Sequence, residues 1–222
     1  MNVWIAIGTG DKKQKTMVDN FDLIRKNLRF QKNKRSFYFV QILRRKKENP
    51  ELSSYSIPVE SFYIYSKKDF DKYKKHIIEK CENNRARAYI KMNCLDAQSV
   101  ALKTIALITE SIRKENWHDL PSRFNSACGE CGKQKGFDAL YLIDLDGEYA
   151  DKRDEIRAYI NSLPPFDVSE KVRIEVPTKN GYHFLSTGFN MDSFRKEYPG
   201  IDIHKDGITL LYFPKCCDTV KK

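Results

Sequence analysis

No stretch of this sequence reaches about 18 uncharged apolar residues, so nothing in it is expected to cross a membrane as a helix. Internal repeats and low-complexity tracts are also missing, which argues against solenoid and fibrous architectures. Met1–Gly8 (MNVWIAIG) is apolar but short. It lacks a basic leader and a small-residue cleavage site, so residues 2–7 read as a first strand rather than a secretion signal. Without a targeting signal the expected compartment is the cytosol, and there a disulfide framework is not expected from the six cysteines.

Those cysteines are Cys81, Cys94, Cys128, Cys131, Cys216 and Cys217. Cys128 and Cys131 have metal-knuckle spacing, and Cys216 and Cys217, or His118, could complete a zinc site. The other reading is a set of reduced thiols in a loop.

What the chain has is length, aromatics and an uneven charge. Its 222 residues are enough for one domain with two lobes, or two small domains sharing a cleft. Hydrophobic residues make up 41% and aromatics 12%, enough for a sizeable core. The net charge is +10, yet residues 1–120 carry 25 Lys/Arg against 14 Asp/Glu while residues 121–222 carry 15 against 16. The basic excess therefore lies wholly in the first half, which suits a polyanion partner; a merely solvated surface is the alternative.

Apolar periodicity gives a coarse map. Helices are expected over 17–29, 67–82, 96–114, 152–163 and 191–198, and strands over 36–44, 59–65, 85–92, 137–144, 171–176, 182–186 and 208–213, with a possible short strand at 201–204. In the strand over 85–92, Ala86, Ala88, Ile90 and Met92 should be buried and Arg85, Arg87 and Lys91 exposed. Residues 116–136, rich in Gly and Pro, read as a connecting segment between a basic α/β lobe (1–120) and a second lobe (137–213). The second lobe follows the order βαββαβ, the split-βαβ pattern of ferredoxin-like and RNA-recognition (RRM-like) domains. In that topology the strand carrying Asp144 should lie beside the strand carrying His183. The expected fold class is α+β, with the α/β lobe packed on the ferredoxin-like one.

Three constellations carry chemistry. Tyr141–Gly147 (YLIDLDG) places Asp144 and Asp146 on one face of a strand, with Ile143 and Leu145 on the other. Two carboxylates so spaced suit hard cations such as Mg2+ or Mn2+, which could neutralise a triphosphate and activate a hydroxyl. The plainer alternative is a pair of turn-capping acids. In Val176–Leu185 (VPTKNGYHFL), Asn180–Gly181 is a strong hairpin signal, and Thr178, Lys179, Asn180 and Gly181 offer a hydroxyl, an ammonium and backbone N–H groups to phosphate. His183 follows on the face of Gly181; a packed core histidine is the other reading. Last, Asp202 is flanked by Ile201 and Ile203, and Asp206–Gly207 resembles a turn.

Together, an acidic pair after an apolar strand, a small-residue-x-His strand and a later hydrophobic-Asp resemble the archaeo-eukaryotic primase, or primase-polymerase, superfamily across residues 137–213. The resemblance implies a minimal catalytic core: a metal-dependent nucleotidyltransferase that uses nucleoside triphosphates to extend a 3′-hydroxyl or start a primer, with possible replication partners. It implies that Asp144 and Asp146 hold the metals, that His183 contacts the nucleotide phosphates, and that Asp202, or Asp206, completes the acidic site. Where the family often has Ser-Gly-Gly or Ser-Gly-Arg-Gly before the histidine, this chain has Thr178–Gly181 (TKNG). The resemblance also implies a template beside the basic lobe, with Arg44, Arg45, Lys46, Lys47, Arg85 and Arg87 as its phosphate contacts. Tyr63 and Tyr65 could stack bases or pack within the sheet. A non-catalytic module binding single-stranded nucleic acid, and a metal-dependent nuclease, are the competing functions.

Overall fold

The computed structural model describes residues 17–31, 35–133 and 136–215. The strand expected at 2–7 lies outside them, as do Cys216 and Cys217. The protein is α+β, with seven α-helices and two antiparallel sheets among the described residues. No described helix is long and apolar enough to cross a membrane.

The first sheet is built on β2 (Ser36–Arg45), where aromatic and β-branched residues favour extended backbone. Its strand order is β1 (Val18–Asp19), β9 (Ile208–Phe213), β4 (Arg87–Asp96), β2 and β3 (Ser56–Ile64). Tyr38, Val40 and Ile42 of β2 pack with Phe21 of α1 (Phe21–Asn27) and with Phe70 and Ile77 of α2 (Lys67–Asn83). Phe37 and Phe39 cluster instead with Val100 of α3 (Ala97–Arg113) and with Ala127 and Cys128 of α4 (Arg123–Glu130). Helix starts are fixed by side chains: Ser66 accepts from the Asp69 N–H at 3.1 Å and Asp96 from that of Ser99 at 2.8 Å.

Because α4 covers the second face, both faces of β4 are buried, and the expected alternation fails there. Lys91 is fully buried. Its Nζ donates to the carbonyls of Cys128 (3.2 Å), Gly129 (2.8 Å) and Cys131 (2.6 Å), which end α4. A cation there satisfies carbonyls that helix geometry leaves open and meets the negative end of the helix dipole. Burial lowers the Lys91 pKa. Lys91→Met, which strands the three acceptors, is expected to cost about 2–4 kcal/mol in denaturant melts followed by circular dichroism. The expected connecting segment is thus folded: Trp117–Ser122 forms a 3-10 turn and α4 follows it against the sheet.

Two further boundaries differ from expectation. The helix expected over 17–29 begins only at Phe21, because buried Asn20 ties the chain to Pro177 and Leu210 through its amide, both at 2.9 Å, and Val18–Asp19 pairs with β9. Arg85, at φ 48°, sits in a turn before β4 and shares no strand face with Arg87.

The second sheet has the order β6 (Val172–Pro177), β7 (Gly181–Ser186), β5 (Tyr141–Asp146) and β8 (Asp202–Lys205). With α6 (Arg153–Ser162) after β5 and α7 (Met191–Glu197) after β7, the connectivity is βαββαβ, with a short α5 (Glu148–Asp151) inserted. The fourth strand is β8, not the expected 208–213. That last strand, β9, lies between β1 and β4 in the first sheet, so the boundary drawn at 137–213 is crossed by the chain. Ile143, Leu145 and Phe184 pack on α6 and α7. Leu142, Ile174, Val176 and Leu185, on the opposite face, join the core of the first sheet. The face that carries Asp144 is therefore the one turned toward the basic half.

Candidate active site

Strand register assembles the site. On β5, Asp144 lies opposite His183 of β7 on one side and opposite Asp202 of β8 on the other, while Asp146 lies opposite Gly181. Directly opposed residues share a face with Cβ atoms roughly 5 Å apart. Four side-chain positions on three strands thus converge on one patch. Asp206 does not join it: it turns at φ 60° and accepts from Asn93 Nδ2 at 2.7 Å. Of the two later acids, Asp202 is the one in register with Asp144; it is exposed and lies outside the lining of the cleft.

The patch opens into a cleft of about 510 Å3 between the sheets. Asp144, Asp146, Thr178, Lys179, Asn180 and His183 line it. His183 Nδ1 lies 2.9 Å from the Thr209 hydroxyl, and its Nε2 lies 3.5 Å from Asp144 Oδ1. That second separation is too long for a good hydrogen bond, and Asp144 Oδ1 is buried with no hydrogen-bond partner. Burial pushes Asp144 up to about 6, with the neighbouring charge of Asp146 next in weight. It also pushes His183 down to about 4, helped by His204. An ion pair would move both the other way. The two are neighbours, each driven toward its neutral form, with burial outweighing their mutual attraction.

The hairpin tip supplies less backbone than expected. The Thr178 hydroxyl accepts from the N–H groups of Asn180 (3.4 Å) and Gly181 (3.0 Å), so these donors are engaged within the turn. The Lys179 ammonium and the Asn180 side chain are what the tip offers the cleft. Gly181 has a steric role, since its backbone passes against the Leu145 carbonyl.

The expected nucleic-acid contacts divide. Arg45 and Arg87 line the cleft, as does Lys47. Arg44 and Arg85 instead pair with Glu51, at 2.6 and 3.3 Å, and Lys46 is exposed outside the cleft lining. Tyr63 and Tyr65 pack against Phe37, with ring centroids 6.1 and 5.3 Å away. Several lining residues were not singled out from the sequence, among them Tyr55, Tyr89, His204 and Lys205. His204 had a signal: it lies two residues after Asp202, and a strand puts such residues on one face.

The acidic patch has the donor chemistry for a hard cation: three carboxylates, one with a buried oxygen free to accept a bond. Among the described residues, no three His, Cys, Asp or Glu side chains already stand close enough together to hold an ion. Cys128 is buried near the end of a helix rather than in a loop, its thiol pushed up to about 12 by burial. Compared with protein-family models, curated proteins and solved structures, the chain matches none.

Proposed function

We propose that this protein is a metal-dependent nucleotidyltransferase of primase-polymerase type. The observation that carries the reading is the register His183–Asp144–Asp202 across three strands, with Asp144 and His183 lining a cleft that Arg45, Arg87 and Lys179 also line. Asp144, Asp146 and Asp202 would hold Mg2+ or Mn2+, which when bound neutralises polyphosphate charge and lowers the pKa of an attacking hydroxyl. The protein's own groups supply the rest. Lys179 and Asn180 bind phosphate oxygens at the mouth of the cleft. His183, uncharged and fixed through Nδ1 by Thr209, orients a phosphate through Nε2. Arg45, Arg87 and Lys205 hold the polyanion against the basic sheet. In this reading the first sheet carries the template and the second the reacting nucleotide.

The test is incorporation of labelled nucleoside triphosphates on bare and primed single-stranded templates with Mn2+. Extension or primer synthesis is expected; cleavage of the template instead would make the protein a nuclease.

A second reading has its own observation. Arg45 stacks on Tyr55 at 4.5 Å and bonds Tyr89 at 3.2 Å, a cationic and aromatic surface suited to a single strand without any reaction. A pure binding module would bind with strong salt dependence and show no response to nucleotide or Mn2+. Calorimetry with a nucleoside triphosphate, with and without Mn2+, separates the two.

A further inference from the structure

One carboxylate behind two of the cleft-lining cations holds them both. Glu48 lies in the turn between β2 and β3, and its side chain is only 5% exposed. The Arg87 guanidinium of β4 pairs with it, and Lys179 Nζ, from the β6–β7 hairpin, stands 3.7 Å from its Oε1. The Glu48–Lys179 pair therefore joins the two sheets at one end of the cleft. Both cations also lie over the Phe213 ring, at 4.8 and 4.9 Å, so the cluster has an apolar neighbour that strengthens its electrostatics.

The cluster is not saturated. Glu48 Oε2 and Arg87 Nε are both buried with no hydrogen-bond partner. Buried polar atoms are normally satisfied, and two orphans in one ion cluster mark an arrangement that another set of partners can improve. Lys179 is its loosest member: its contact is long, its side chain is 26% exposed, and it already lines the cleft.

We propose that Glu48 is an internal anion that occupies Lys179 until a polyphosphate displaces it. Glu48 is then a positioning residue, acting on the ligand through Lys179. It keeps the ammonium at the cleft wall, and it raises the threshold an anion must pass to engage it. A single carboxylate at 3.7 Å competes weakly against a chain of phosphate oxygens, so handover to a triphosphate is favourable. Handover also removes one tie, the Glu48–Lys179 pair, between the hairpin tip and the first sheet, so ligand entry weakens the contact between the sheets. The proposal rests on the reading that the cleft takes a nucleoside triphosphate.

The experiment is titration calorimetry of the full chain with inorganic tripolyphosphate, with no divalent cation present. Glu48→Gln is expected to tighten binding about tenfold, because it removes the competing charge and keeps the side-chain shape. Lys179→Gln is expected to weaken it about tenfold. In the double variant most of the Glu48→Gln gain should vanish, leaving only the part that comes through Arg87, the other cation that Glu48 holds. A purely structural Glu48 gives the opposite sign: Glu48→Gln then weakens binding, and that result overturns the proposal, as does a gain undiminished without Lys179. If Glu48→Gln does not fold, Glu48→Asp, which keeps the charge but withdraws it by one methylene, should tighten binding in the same direction by a smaller factor. Failure of wild-type protein to bind tripolyphosphate also overturns it. Binding that follows the expected pattern in a protein that incorporates no nucleotide supports the proposal and removes the transferase reading. Incorporation without the Glu48 effect does the reverse.

Discussion

Replacing Asp144 and Asp146 together by asparagine should abolish nucleotide incorporation, by at least about a thousandfold, and leave a folded protein that is more stable than wild type. The two effects share one cause. Asp144 is partly buried beside Asp146 and Asp202, and burial first, then those charges, raises its pKa from an ordinary 3.8 to about 6. A carboxyl whose folded pKa is raised binds more protons folded than unfolded between those values. Stability therefore falls as pH rises from about 4 to 6, and the penalty is fully present above that range. Asparagine at 144 removes it. The Asp144 side chain is 35% exposed, so solvent screening reduces the gain to about 1 kcal/mol. Thermal melts at pH 4 and pH 7.5 check the sign: the variants should match near pH 4 and separate at pH 7.5. Millimolar Mn2+ should raise the melting temperature of wild type and not of the double variant, because only wild type retains the carboxylates that bind it. Undiminished incorporation by the double variant would sink the metal-site reading.

Local pattern made much of the site's framework legible. The alternation in Tyr141–Asp146 put Asp144 and Asp146 on one face, and Ile143 and Leu145 are indeed fully buried on the other. The βαββαβ order placed the Asp144 strand beside the His183 strand, and the register puts the two residues directly opposite. Neither inference needed more than strand periodicity and one topological rule. What escaped was non-local. Whether Ile208–Phe213 closes the second sheet or enters the first depends on which edge it meets, and residues about 190 positions earlier help decide that: Asn20 bonds Leu210 and Val18 pairs with Phe213. Lys91 reads as a solvated lysine on an alternating strand because its three acceptors lie about forty residues on, at the end of a helix hidden in an apparent linker. Charge was the least legible property. Arg85 and Arg87 look alike in sequence, yet a positive φ sends one to Glu51 on the surface while the other lines the cleft.

The close approach that sets the site's register also makes it fragile at one atom. Gly181 stands opposite Asp146, where β7 leaves the hairpin and runs against β5. A Cβ there would collide with the carbonyl oxygen of Leu145, lie 3.0 Å from its carbonyl carbon, and stand 3.3 Å from Ala150 Cβ. The obstacle is backbone on a central strand, which cannot rotate aside as a side chain would. Gly181→Ala must therefore push β7 away from β5 or shift its pairing, and a one-residue shift would turn His183 to the opposite face of the sheet. The expected cost is about 3 kcal/mol, larger than an ordinary surface substitution and at the upper end of what overfilled packing costs. Gly129→Ala is the matched control: the position is helical, with nothing within 4 Å of the added carbon. There alanine should stabilise by about 0.5–1 kcal/mol through helix propensity. Urea melts of the two variants, followed by circular dichroism, should move in opposite directions. Residual folded Gly181→Ala protein, obtained at low temperature, should still lack incorporation, because Asp144 no longer has His183 beside it. A Gly181→Ala protein with wild-type stability would show that the β5–β7 register is held by something other than this contact.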